Sequence, residues 1–188
     1  MDESAFWRAP AFFERKELLQ TSLAKAPAGI ALEFGVREGE SLGWIAESGR
    51  KTYGFDSFEG LPEEWRLSEG RVCPPGWFAA RPSIVPSNVH LIEGWFVDTL
   101  PRFLRDNAEQ IGFVHVDCDL YSSTKTVLDG LGPRLEPGAI IVFDELIDFG
   151  NTGYEFWRDH EWRALCESGL RVEPIGRTNH QQAAVVVL

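Results

Sequence analysis

An α/β fold built on a mainly parallel sheet is predicted by three observations. Short apolar runs alternate with amphipathic helical segments along most of the chain. Several of those runs are apolar at every position, as strands covered on both faces must be. Glycines or acids close most of them. The chain has 188 residues, 44% of them hydrophobic and 25% charged, which suits one domain with a real core rather than a disordered segment.

Residues 3–26 carry Phe6, Trp7, Phe12, Phe13, Leu18, Leu19 and Leu23 at helix-like spacing. They predict one or two amphipathic helices, an N-terminal helical segment over 1–28 ahead of a domain spanning 29–188. Five strands are expected at 29–36 (GIALEFGV), 51–58 (KTYGFDSF), 88–96 (NVHLIEGWF), 111–120 (IGFVHVDCDL) and 138–145 (GAIIVFDE). Helices are expected at 40–48, at 98–107 with Asp98 as N-cap, at 122–135 opened by Ser122, Ser123 and Thr124, and at 154–168. Residues 170–175 and 183–188 read as an antiparallel pair at one edge. Right-handed crossovers then give a seven-stranded sheet with helices on both faces. Residues 61–87 break the rhythm, with Pro62, Pro74, Pro75, Pro82 and Pro86 set among Trp65, Trp77 and Phe78. They read as a lid, because those aromatics are costly to leave in water.

Charge and composition narrow the partners. A net charge of −11 with no Lys/Arg run repels phosphate backbones, so nucleic acid is not expected. The opening MDESAFWRAPAFFERKE lacks an apolar signal core, and no apolar run approaches the about 20 residues of a membrane helix. Cys73, Cys118 and Cys166 form no CxxC pair and read as reduced thiols. A cytoplasmic protein acting on a small molecule is expected, with a second copy of the chain as a further candidate partner.

The chemistry gathers at the strand ends. The first strand runs into Glu33-Phe34-Gly35-Val36-Arg37-Glu38-Gly39, where Gly35 and Gly39 permit a sharp turn and the close approach of a ligand. The following helix start favours an anionic group. Asp56 ends the second strand, where a carboxylate can accept both hydroxyls of a ribose. No GxGxxG is present, which argues against a dinucleotide, and Glu33 suits a ligand amine. The fourth strand ends Asp117-Cys118-Asp119 and the fifth Asp144-Glu145. Neighbouring strands are about 4.8 Å apart, so these acids can converge. Converging carboxylates share a proton or bind a cation, and oxygen donors suit Mg²⁺, Mn²⁺ or Ca²⁺. Asp117, Asp144 and Glu145 are the candidate metal ligands. Strand alternation points Asp119 the same way as Asp117, which makes it a reserve ligand or a cap for the next helix. Among the histidines, His90 and His115 lie within apolar strands and read as structural, while His160 and His180 are candidate general bases.

LEFGVREGES, YGFDSFEGLP, IEGWFVDTLP, FVHVDCDLYSSTKTVL and PGAIIVFDE occur in this order. Over roughly residues 29–146 the chain resembles the macrocin O-methyltransferase family of class I S-adenosylmethionine (SAM)-dependent methyltransferases, which have a Rossmann-like fold. The resemblance implies SAM contacts from Glu33, Phe34, Gly35, Gly39 and Ser41, a ribose contact from Asp56, and Ser57, Phe58, Gly94 and Trp95 around the adenine. It further implies Mg²⁺- or Mn²⁺-assisted O-methylation, with Asp117 bordering the cofactor and the reacting oxygen and Asp117, Asp144 and Glu145 holding the metal. The ending RTNHQQAAVVVL departs from that of the antibiotic-sugar enzymes, so the acceptor is not carried over. A nucleotide-cofactor oxidoreductase and a SAM-binding domain without catalysis are the alternative readings.

Overall fold

The computed structural model describes residues 1–188. The chain opens with α1 (Glu3–Arg8), β1 (Ala11–Phe12) and α2 (Arg15–Lys25), followed by β2 (Ile30–Phe34), α3 (Glu40–Ala46) and β3 (Thr52–Asp56). A small hairpin of β4 (Trp65–Ser68) and β5 (Arg71–Cys73) precedes β6 (Val89–Glu93), α4 (Phe96–Asp106), β7 (Ile111–Val116) and α5 (Tyr121–Leu131). The remainder is β8 (Ile140–Phe143), α6 (Glu161–Glu167), β9 (Val172–Thr178) and β10 (Ala183–Val187).

The main sheet has eight strands in the order β1-β9-β10-β8-β7-β2-β3-β6. Only β10 runs against its neighbours, β8 and β9. All seven expected strands are present, mostly trimmed at their ends. The eighth is the two-residue β1, which pairs in parallel with β9. Pro10 interrupts the expected helical stretch, and its carbonyl accepts the Arg177 N–H, which draws the chain into the sheet edge.

Chain direction across the sheet reverses between β2 and β7. From β2 the chain crosses through α3 to β3 on one side, and from β7 it crosses through α5 to β8 on the other. Such a switch point opens a crevice at the carboxyl ends of the strands. Alternation along β2 sorts its residues. Leu32 and Phe34 join the larger apolar cluster on one face, while Ala31 packs with Leu18, Leu19 and Leu23 of α2 on the other. Burying a Leu or Phe side chain contributes about 1.5–3 kcal/mol, so these faces fix the register.

Two helix boundaries differ from expectation. Helix α4 begins at Phe96, because the Asp98 N–H already bonds the Trp95 carbonyl and closes the first turn; Asp98 therefore lies inside the helix rather than capping it. The expected helix over 154–168 is broken, with a 3₁₀ turn at Trp157–Asp159 and α6 starting only at Glu161. His160 is the joint, in a non-helical conformation. Residues 61–87 divide: Leu61, Trp65 and Leu67 are core residues, whereas Trp77 and Ile84 are exposed. No helix is long and apolar enough to cross a membrane.

Candidate active site

A cavity of about 470 Å³ opens at the carboxyl ends of β2, β3, β7 and β8, where the switch point predicts it. One end is built on the glycine turn. Gly35 has φ 91° and Gly39 φ 85°, conformations that disfavour any side chain. A Cβ on Gly35 would overlap the Asp117 carbonyl oxygen, so the turn after β2 and the loop after β7 pass in contact. Asp56 ties this turn to the next loop. Its Oδ2 accepts the N–H groups of Val36 (2.7 Å) and Arg37 (2.8 Å), and its Oδ1 accepts that of Phe58 (2.7 Å).

Of the expected cofactor residues, Gly35, Gly39, Ser41, Asp56, Ser57, Trp95 and Asp117 form the cavity wall. Four do not. Phe34 is fully buried below the floor, stacked on Phe55 with centroids 4.7 Å apart and supporting Phe96, which is in the wall. Glu33 alternates onto the α2 face, is fully buried, and faces Nδ1 of His115 at 2.8 Å rather than a ligand. Phe58 turns toward Arg81, whose guanidinium lies 4.3 Å from its ring centroid. Gly94 is spent on structure, its N–H bonding the Asp56 carbonyl.

The other end of the cavity is acidic. Asp117, Asp119, Asp144 and Glu145 all reach the wall. The groups that converge most tightly are Asp117, Asp144 and His115, whose ligating atoms lie within 4.8 Å of one another. His115 thus joins Asp117 and Asp144 in the tightest group, because it shares the α2 face with Glu33 and its Nε2 lies 3.6 Å from Asp144 Oδ1, while Glu145 reaches the wall beside them. Asp119 departs from the alternation argument. Strand β7 ends at Val116, and Asp119 sits beyond it at φ 62°, half a turn from any strand geometry; it makes no cap bond to α5, which begins after Leu120 without a side-chain cap.

The charges in this cluster are set by burial against pairing. Burial opposes ionisation of Asp144, but the His115 contact and the Arg15 guanidinium outweigh it and hold the carboxyl below the usual range. Burial likewise disfavours charge on His115, yet Asp144 and Glu33 push its pKa up to about 10. Burial and the charge of Asp144 raise Asp117, and the same two causes raise Asp119 to about 7. Burial, then Asp144, also raises Glu145.

Neither expected base faces the cavity. His160 Nε2 lies 3.0 Å from the Arg66 carbonyl and its ring stacks on Tyr154 and packs edge-on against Trp65, which stands in the wall in its place. His180 lines a separate surface recess with Phe13, Glu14 and Gln182. The wall residue that sequence reading missed is Arg15. Its Nη1 lies 2.9 Å from Asp144 Oδ2 and 3.6 Å from Asp117 Oδ2. The clue was its place at the start of an apolar helix, but only docking of α2 on the sheet brings it to strands more than a hundred residues away. Phe78 and Trp65 of the proline-rich stretch also line the wall.

A Rossmann-like sheet with a glycine turn, an acid at the end of β3 and acidic strand ends has the architecture of a class I methyltransferase domain. The comparisons agree. The chain belongs to the family described as a methyltransferase domain, which matches residues 32–146. It is similar to the 8-demethyl-8-(2,3-dimethoxy-alpha-L-rhamnosyl)-tetracenomycin-C 4'-O-methyltransferase of Streptomyces olivaceus, with 32% identity over 150 residues, or 68% of this chain. The chain spans 56% of that relative's length. Among solved structures it is similar to the calicheamicin methyltransferase CalS11, with a TM-score of 0.70 and 27% identity, covering 91% of this chain and 76% of the other. The O-methyltransferase NovP shares the fold at a TM-score of 0.60 and 21% identity, covering 90% of this chain and 78% of the other.

Proposed function

We propose that the chain transfers the methyl group of SAM to a hydroxyl of a small molecule, with a sugar-bearing natural product as the acceptor class. One observation carries this reading: a single cavity joins the Gly35–Asp56 turn system to the acids of β7 and β8. SAM fits with its ribose at Asp56, its adenine between Ser57 and Trp95, and its methionine end beside Gly35, Gly39 and Asp117. The sulfonium then faces the acidic end of the cavity, where the charge of Asp144 favours it. The relatives' printed activities on rhamnosyl groups support the acceptor class.

Because neither His160 nor His180 lines the cavity, the proton acceptor for the substrate hydroxyl is assigned to Asp119, a wall residue next to Asp117 that is not among the metal ligands and whose pKa burial and Asp144 raise to about 7. SAM is already activated, so the protein's task is positioning and charge placement. A divalent cation fits the acidic end on the chemistry of its donors: Asp144 Oδ1 and Glu145 Oε2 are buried without a hydrogen-bond partner. Asp117, Asp144 and Glu145 would hold Mg²⁺ or Mn²⁺, with His115 beside them. Such an ion supplies stabilisation of a deprotonated acceptor oxygen. The unpaired Cys73, Cys118 and Cys166 support a cytoplasmic setting.

Calorimetry with SAM and with NAD, followed by methyl transfer to a panel of rhamnosides, tests the reading. Tighter binding of NAD would replace it with the oxidoreductase reading. SAM binding with no turnover on any acceptor would leave a binding domain without catalysis.

A further inference from the structure

We propose that Arg15 is a tethered cation that holds the position of the divalent ion between Asp117 and Asp144, so that metal loading requires its guanidinium to withdraw. The inference rests on the metal-assisted reading above. A single nitrogen, Arg15 Nη1, lies between the two carboxylates at 2.9 Å from Asp144 and 3.6 Å from Asp117. A divalent ion held by the same two carboxylates would occupy the space that this nitrogen fills. Two like-charged cations cannot share it.

Three further observations support exchange rather than a permanent ion pair. Asp144 Oδ1 and Glu145 Oε2 are buried with no hydrogen bond, so the arginine leaves carboxylate oxygens of the cluster unused. The arginine side chain is 29% exposed, which leaves it a path outward. It also has partners along that path: Nη2 already lies 3.2 Å from Glu40 Oε2, whose side chain is 69% exposed, and the guanidinium carbon is 5.2 Å from the Trp44 ring centroid. Both belong to α3, on the outer side of the acid cluster. A withdrawn arginine can therefore keep one ion pair and one aromatic face. The device links the N-terminal helix to the chemistry at the strand ends: without metal, Arg15 screens the acids and pins α2; with metal, it is released.

The test is Mn²⁺ binding to the full chain, followed by calorimetry and by electron paramagnetic resonance, for wild type, Arg15→Gln, Arg15→Lys and Asp144→Asn, each checked for folding by circular dichroism. Arg15→Gln is expected to bind Mn²⁺ at least tenfold more tightly than wild type, Arg15→Lys to fall between, and Asp144→Asn to lose binding. Equal or weaker Mn²⁺ binding by both Arg15 variants would overturn the interlock while leaving the metal reading in place. No Mn²⁺ binding by any folded protein would end both, and SAM calorimetry on the same samples would show whether the methyltransferase reading survives.

Discussion

Gly35 lies against the Asp117 carbonyl with no room for a methyl group between them, so the turn after β2 and the loop that carries Asp117 are in direct contact. Gly35 also has φ 91°, which disfavours a side chain independently. Gly35→Ala is expected to cost about 2–4 kcal/mol in urea unfolding, since strain and a backbone clash add. Gly43, inside α3 with open space around it, is the control, and its alanine variant is expected to gain about 0.5–1 kcal/mol. A loss below about 0.5 kcal/mol for Gly35→Ala would refute the contact.

Asp56 holds three backbone N–H groups with two oxygens. Asp56→Asn keeps one acceptor and loses the charge. SAM affinity is expected to fall about 10- to 100-fold, the scale of one charge-assisted hydrogen bond at about 1.5–3 kcal/mol. Calorimetry with S-adenosylhomocysteine checks it, and unchanged affinity would move the ribose elsewhere.

Closure over the ligand is expected from residues 74–87 alone. The preceding hairpin is anchored by Trp65 and Leu67, both in the core, whereas Ile84 is 85% exposed. Hydrogen exchange with S-adenosylhomocysteine is expected to slow at 74–87 and to stay constant at 65–73. Exchange unchanged across both segments would mean that the cavity binds without a lid.

Chelation separates the two ends of the cavity. Excess EDTA is expected to abolish methyl transfer while SAM binding stays within about twofold, since the acids lie at the acceptor end. Full transfer in EDTA would leave Asp119 as a base acting without a metal.

Glu161 gives a pH signature. It is fully buried at the start of α6, its Oε2 accepts the Glu145 N–H at 3.1 Å, and its Oε1 has no partner. Burial, then the charge of Asp119, raises its pKa well above the ordinary value. The folded state therefore binds this proton more tightly than the unfolded chain, and its contribution is lost as pH rises above the ordinary carboxyl value. Glu161→Gln is expected to be more stable than wild type at pH 8, by about 1–3 kcal/mol from removal of an unpaired buried charge, and equal to it near pH 4. Thermal unfolding across that range measures the difference. A variant less stable at pH 8 would show that Glu161 is ionised and paired.

The glycine turn, Asp56 and the acids of β7 and β8 were legible before any coordinates, because backbone strain and strand ends write themselves into local residue choice. Gly35 must be glycine where its turn meets the Asp117 carbonyl, and a buried strand must stop where Asp117 or Asp144 begins. The placement of the histidines is not legible in the same way. His160 and His180 stand after the right elements, but their direction depends on a broken helix and a surface turn that periodicity does not reveal. His115 looked structural because an apolar strand surrounds it, yet its pairing with Glu33 and Asp144 is set by register across β2, β7 and β8.

The sequence by itself determined the seven longer strands of the main sheet and the family, both of which rest on local patterns of apolar, glycine and acidic residues. Tertiary structure alone decided which charges meet. Arg15 and Asp144 are separated by 129 residues, and their contact depends on how Leu18, Leu19 and Leu23 seat α2 on the sheet. A long-range ion pair leaves no spacing pattern, because apolar packing positions the helix and the charges only meet where that packing brings them.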